Sequence, residues 1–474
     1  MKKLTSYILT GVVMALCLTG CEGFLTREPI LSQNDQLTVS TYEGLNKVVA
    51  GNYVYLYAQG WYGQDWVISA EMRSGNGVKD QVRNSNRCTG SYNWNYTPDN
   101  TSSMWAYTYY MISAANNVID NLEGKGEQQD LDNLKAEALF QRAIAHWHCV
   151  LTYGQPYTYK KDSPGVPVVL HTEPDGRPAR ETVENVYKQV LADLLEAEEI
   201  IDPDYQRQGG ADPRAYADIN VIRALLSRVY LYMGEWQNAA DYATKVINSG
   251  KFRMWTAEEY PDVWGVNAGT GEVIFEVYGK TTNGYWGSWE DLSYLTSPEG
   301  AGDPMVSQEL LGMYSENDVR LQTYRTDAAE ETGKMWTAKY PGKGENTPDC
   351  NNIIVLRLSE MYLNRAEATV NGATGTPAAH EDLNMITSNR GVLPYAAATK
   401  TDVEKERRKE LAWEGHYIYD LARWNKPVVR TEFTLGSMNQ NVEFPSYKWA
   451  LPIPKRELEV NENLVQNEGY GTSN

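Results

Sequence analysis

Residues 218–250 read DINVIRALLSRVYLYMGEWQNAADYATKVINSG, and their pattern decides the fold. In the first half Ile222, Leu225, Leu226, Val229, Tyr230 and Met233 recur at helical spacing. In the second half Trp236, Ala239, Ala240, Ala243, Val246 and Ile247 do the same. Gly234 stands between them, where a helix can end in the left-handed conformation. The spacing predicts a helical hairpin whose alanines let the two helices approach closely.

Similar patterns lie on either side. Helical periodicity is predicted over Thr41–Ala58, 102–122, 131–153, Thr182–Ile201 and 356–370. The 131–153 helix stops at Tyr153-Gly154, with Pro156 close behind. Val229-Tyr230-Leu231 returns as Met361-Tyr362-Leu363. Ala239-Ala240 and Val246-Ile247 return as Ala378-Ala379 and Met385-Ile386, after a longer connection. Small and aromatic positions in the 218–250 hairpin follow the tetratricopeptide pattern, whose units bury their apolar faces only by stacking. The predicted fold is therefore mainly α: tetratricopeptide-like hairpins forming a scaffold. Residues 154–180 make a proline-rich connection. From 251 to 352 helical patterns become few, and EVIFEVY at 272–278 reads as a strand. This region is predicted to be a large, irregular, loop-rich insertion that contains short strands and carries much of a binding surface.

The chain of 474 residues has a formal charge of -19, which disfavours a nucleic-acid partner. It holds 33 Tyr and 14 Trp against 6 Phe. Tyr and Trp carry a polar handle and suit half-wet surfaces. They cluster with glycine and amides in three loops: GWYGQDW at 60–66, SYNWNY at 91–96 and NGYWGSW at 283–289. On an extended backbone Tyr92, Trp94 and Tyr96 would share one side. That reads equally as a half-buried edge strand or as a ligand platform. Aromatic faces beside amides suit sugars, so the candidate ligand-binding residues are Trp61, Tyr62, Trp66, Tyr92, Trp94, Asn95, Tyr96, Tyr285, Trp286 and Trp289.

Other constellations carry less. His146 and His148 are two apart on a helix and point to different sides, so they read as core and not as metal ligands. EKERRKELAWEGHYIYDLARW at 404–424 reads as a docked helix that mixes Arg and Glu with apolar positions. Glu406, Glu410 and Glu414 therefore read as members of a charged set whose groups satisfy each other and backbone ends, not as catalytic acids. No GxSxG, HExxH or phosphate-binding glycine loop occurs. No cofactor, metal site or catalytic residue is expected.

The first 20 residues read as a secretory signal, with Lys2 and Lys3 before an apolar run too short to span a bilayer. The run ends Leu18-Thr19-Gly20-Cys21, which resembles a bacterial lipobox and makes Cys21 the expected lipidation site. Residues 21–40 are expected to tether one domain over 41–474. The remaining Cys88, Cys149 and Cys350 show no zinc or dense disulfide spacing.

Taken in order, several segments resemble the SusD/RagB family of Bacteroidetes outer-membrane lipoproteins. They are the lipobox, EALFQRAIAHWHCVLTYGQP (137–156), PARETVENVYKQVLADL (178–194), ALLSRVYLYMGEWQNAADYATKVI (224–247) and NDVRL (317–321). RLSEMYLNRAEA (357–368), ERRKELAWEGHYIYDLARW (406–424) and LPIPKRELEVNENLVQNEGY (451–470) continue the likeness over nearly the whole chain. ITSNRG at 386–391 and Gln155 depart from the family pattern and read as local packing changes. The resemblance implies a non-enzymatic, surface-exposed protein with a helical scaffold and variable ligand loops. It also implies a SusC-like TonB-dependent transporter as partner, and in many members an oligosaccharide as ligand. A peptide-capturing lipoprotein and a glycoside hydrolase are the other readings, the latter needing two carboxyls converging across a cleft.

Overall fold

The computed structural model describes residues 39–471 apart from 84, 174, 209–211, 266–270, 280–290, 328–332 and 343–349. Cys21, the expected signal and nearly all of the expected tether lie outside the described residues, as do Tyr285, Trp286 and Trp289.

The longer helices are α1 (Tyr42–Asn52), α2 (Asp65–Ser74), α3 (Met104–Asp120), α4 (Gln128–Tyr153), α5 (Val183–Ile200), α6 (Ile219–Met233), α7 (Trp236–Ile247), α8 (Leu358–Val370), α9 (Ala379–Ser388), α10 (Lys400–Glu410) and α11 (Tyr417–Arg423). Each stacks on the next: α3 on α4, α4 on α5, α6 on α7, α7 on α8, and α8 on α9 and α10. The predicted hairpin is α6–α7. Asp218 caps it, its carboxylate accepting from the N–H groups of Asn220 and Val221 at 2.8 and 2.9 Å. Gly234 ends α6 at φ 78°, and the N–H groups of Gly234 and Glu235 return to the carbonyls of Leu231 and Tyr230.

A buried polar thread joins successive helices. Ser227 Oγ donates to the Ala239 carbonyl at 2.9 Å, Asn364 donates to Ser227 Oγ at 3.1 Å, and Arg407 donates to Asn364 Oδ1 at 2.8 Å. The second hairpin, α8–α9, repeats the first with a one-residue shift from the predicted match. Ala379 and Ile386 are its buried counterparts of Ala239 and Val246, while Met385 is 41% exposed. Helix α9 starts only at Ala379, which turns Met385 to its outer face.

Two predicted helical stretches are broken. Thr41–Ala58 passes from α1 into a 3-10 turn, Tyr53–Tyr57. The 404–424 stretch divides into α10 and α11 around a left-handed turn with Trp413 at φ 64° and Gly415 at φ 84°. A Cβ on Gly415 would meet the Trp66 ring at 2.7 Å, so the close approach of α2 requires glycine there.

The region from 251 to 352 contains short strands, as expected, and two of its three antiparallel pairs are completed by strands outside it. Strand β1 (Gly77–Lys79) pairs with β3 (Pro304–Val306), β2 (Val273–Val277) with β6 (Ile353–Arg357), and β4 (Tyr324–Arg325) with β5 (Trp336–Thr337). The β2–β6 pair, buried throughout, brings the two ends of the excursion together at its base.

Buried ions lock that base to the scaffold. Arg390 reaches Glu272 at 2.6 Å and Glu410 at 2.8 Å. Arg357 reaches Glu410 at 2.7 Å, Glu272 at 3.1 Å and Glu414 at 2.8 Å. Arg320 joins Glu406, Glu410 and Asp318, and Lys339 joins Glu414. Burial alone would raise the Glu410 carboxyl, but Arg390, Arg357 and Arg320 outweigh it and hold it well below the usual range. Glu406, Glu410 and Glu414 thus sit in an ion network, but apart from Lys409 on Glu406 their partners Arg320, Lys339, Arg357 and Arg390 come from outside the 404–424 stretch. Removing one partner of such a network leaves uncompensated buried charge. Glu410→Ala is expected to cost about 3–5 kcal/mol in urea unfolding.

Candidate functional site

The first aromatic loop is sealed. Trp61, Tyr62 and Trp66 are buried around His148. Trp61 Nε1 donates to His148 Nδ1 at 2.9 Å, leaving Nε2–H to face the Tyr62 hydroxyl at 3.2 Å. Burial, with the Arg228 cation adding to it, pushes the His148 pKa well below its ordinary value, so the ring is neutral. Trp66 lies 4.2 Å from His148 and stacks on Tyr419 at 4.6 Å. A Cβ on Gly63 would come within 2.3 Å of the Tyr57 carbonyl. The loop's glycines therefore let it coil against the scaffold instead of standing out from it. His146 is buried as well, accepting from Val169 N–H at 3.2 Å, so both histidines belong to the core as expected.

The second loop is neither an edge strand nor a flat platform. Thr89–Tyr92 is a helical turn, and Trp94 follows in the left-handed region at φ 50°. Tyr92 is fully buried, stacked on Phe433 at 5.3 Å, with the Arg430 guanidinium 4.6 Å from its ring centroid. Its hydroxyl accepts from Thr434 N–H at 3.0 Å. The Trp94 indole donates to the Arg73 carbonyl at 3.1 Å, and the Arg73 guanidinium lies 4.3 Å over the ring. Trp449 packs edge-on at 5.3 Å. Trp61, Tyr62, Trp66, Tyr92 and Trp94 therefore offer no free ring face. The physical reason is that the polar handles of Trp61, Tyr62, Tyr92 and Trp94 find partners inside, and Trp66 is covered by the His148 and Tyr419 rings. No local signal announces those partners.

Asn95 is exposed and Tyr96 half-buried, its hydroxyl shared between Ser69 Oγ at 3.1 Å and Ser91 Oγ at 2.9 Å. Around them several loops meet. Asn93 Oδ1 accepts from Met438 N–H at 2.9 Å, and Thr434 Oγ donates to the Lys79 carbonyl at 2.6 Å. Arg83 binds Asp327 at 2.5 Å and covers the Trp336 ring at 5.1 Å. Asp303 accepts twice from Ser85 N–H, at 2.8 and 3.0 Å. The described residues of segments 79–96, 303–336 and 430–441 thus form one loop-built face, with Val82, Leu435 and Met438 exposed on it.

The profile described as "Starch-binding associating with outer membrane" matches residues 24–231, and that of the SusD family matches residues 332–470. A solved Bacteroides vulgatus protein is 30% identical with a TM-score of 0.80, over 91% of this chain and 99% of that one. The chain belongs to the SusD/RagB family. A SusD superfamily protein of Bacteroides thetaiotaomicron is 29% identical with a TM-score of 0.81, over 90% of this chain and 99% of that one. The starch-binding protein SusD of the same species is 22% identical over 79% of this chain and 80% of its own length. In this SusD-family chain the helical scaffold predicted from 218–250 is the family's own fold.

Two outcomes follow from the geometry. Trp94→Ala is expected to lower stability by about 3–5 kcal/mol in urea unfolding, as for a core aromatic. Glu71, buried beneath the 411–416 turn, accepts from Asn76 Nδ2 at 2.8 Å and Gly415 N–H at 3.0 Å. Burial pushes its pKa from 4.5 to about 7. The folded chain holds this proton more tightly than the unfolded one. Its contribution is complete below pH 4.5 and is lost as pH rises through 7, a change of about 3 kcal/mol. Glu71→Gln is expected to flatten that part of the stability–pH profile, read by denaturant midpoints between pH 4 and 8.

Proposed function

We propose that this protein is a cell-surface lipoprotein, anchored through Cys21, that holds a glycan without altering it. It passes the glycan to a SusC-like TonB-dependent transporter in the outer membrane. The observation that carries this reading is family membership along both halves of the chain, in a family described as starch-binding and associating with the outer membrane. The loop-built face supports it: a rigid, ion-locked base below, and amide and aromatic groups at Asn95 and Tyr96 above. Tyr285, Trp286 and Trp289 would add the stacking rings. Such a platform is wet, so each hydrogen bond gains little net over water and the ligand can leave again. The carboxylates of the 406–414 segment are engaged by cations, which leaves no acid pair there for hydrolysis.

Native electrophoresis in gels carrying amylopectin or other polysaccharides tests the reading. The protein should be retarded by at least one and should release no reducing ends from it. Asn95→Ala combined with Trp286→Ala and Trp289→Ala should weaken the retardation markedly while the melting temperature stays within a few degrees. Release of sugar by the pure protein, or retention of peptides alone, would overturn it.

A further inference from the structure

A long groove, lined by none of the residues of the loop-built face, follows α3. Its walls are residues 167–173 and 175–178 of the proline-rich connection and the C-terminal helix Lys455–Val460. Its volume is about 1160 Å³. A second hollow of about 490 Å³, beside Pro98–Ser103, meets it at Trp105, Ala106, Arg456 and Glu457. Helical spacing explains the floor: Trp105, Tyr109 and Ser113 lie four apart, with Ala106 and Tyr110 beside them. From Trp105 to Ser113 alone the floor runs about 12 Å at 1.5 Å per residue.

The chemistry of this groove is mixed in a particular way. Trp105 and Tyr109 pack together at 5.1 Å as its apolar bed. Tyr110 is 54% exposed and is propped by Tyr55 at 5.8 Å and Tyr107 at 6.3 Å, so its ring stands out of the surface. Hydrogen-bonding groups on the walls keep spare capacity. His171 Nδ1 pairs with Asp120 at 3.0 Å, which fixes the ring and leaves Nε2 outward. Arg456 is exposed without an ion pair among the described residues. Charges of both signs are interspersed, Lys455 and Arg456 beside Asp99, Glu457 and Glu459. A polyanion would meet those carboxylates, and a purely apolar ligand would strand Arg456 and His171. A neutral chain of hydroxyl-bearing rings meets neither difficulty: it stacks on Tyr110 and bonds to the walls.

We infer that the α3 groove is a second carbohydrate site, taking several units of a neutral polysaccharide chain, separate from the loop-built face. This rests on the glycan-binding reading above and extends it: two sites on one chain would raise retention of a long polymer over that of a short one.

The test uses the full mature protein in gels carrying amylopectin, galactomannan, arabinoxylan or alginate. Tyr110→Ala with Arg456→Ala, and separately Ala106→Trp to fill the groove, are surface changes whose folding is checked by thermal melting. In a gel of neutral polysaccharide that retards the unaltered protein, the groove variants should bind about threefold to tenfold more weakly, the loss expected for one aromatic stack. Combining them with Asn95→Ala and Trp286→Ala should remove what remains, and alginate should not be retained through the groove. Unchanged retardation of both groove variants, with loss only in the loop variant, would overturn the second site and leave the first standing. Absence of retardation of the unaltered protein in every gel would instead overturn glycan binding itself, and the groove site with it.

Discussion

The ion network around Glu410 is the interaction on which the rest depends. Three guanidinium groups, from Arg320, Arg357 and Arg390, converge on one buried carboxylate. They come from the loop-rich region, the end of β6 and the turn after α9. Glu272, at the start of β2, and Glu414, after α10, balance the surplus positive charge. Taking such groups out of water is costly, and only a dense set of charge-assisted bonds offsets it. That density fixes geometry. A shifted β2–β6 pair would strand Glu272, and a shifted α10 would strand three arginines. The loops above this base can therefore differ in sequence while its orientation on the scaffold stays set.

The tyrosine surplus follows a related logic. Irregular backbone must have its polar groups satisfied where it is buried. Here tyrosine and tryptophan supply the partners. Tyr340 donates to the Trp413 carbonyl at 2.6 Å, Tyr314 to Lys409 at 2.9 Å, and Trp336 Nε1 to Gly302 at 2.9 Å. Tyr53 bonds both Glu137 and the Ala217 N–H. Phenylalanine would fill the same space and leave those groups unpaired. Aromatics with a polar handle are thus used inside as well as on surfaces, and composition alone does not separate the two uses.

Rigid base and irregular superstructure divide the labour. The helical hairpins bury apolar faces against one another, and their polar threads run inward through Ser227, Asn364 and Arg407. The proposed binding surfaces lie on the loops and in the groove between α3, the proline-rich connection and the C-terminal helix. Arg390 shows how local the reading of a departure can be. It stands in ITSNRG, read as a packing change, yet it bridges Glu272 and Glu410 and donates to the Trp255 carbonyl at 2.9 Å.

What the sequence determined by itself was periodic or capped. Apolar residues at helical spacing, Asp218 and Gly234 at the ends of α6, and β-branched residues in EVIFEVY act through neighbours a few positions away. Such signals are written locally, so most of the longer helices, the hairpin repeat to within one residue and the strand were legible, whereas α2, which begins inside the stretch read as an aromatic loop, was not. Tertiary structure alone decided which aromatics stay exposed. Trp61 and Trp66 are sealed by His148 and Tyr419, and Tyr92 by Phe433 and Arg430, partners more than eighty residues away in the chain. A side chain's exposure depends on what the distant chain lays over it, and no pattern within a single loop encodes that.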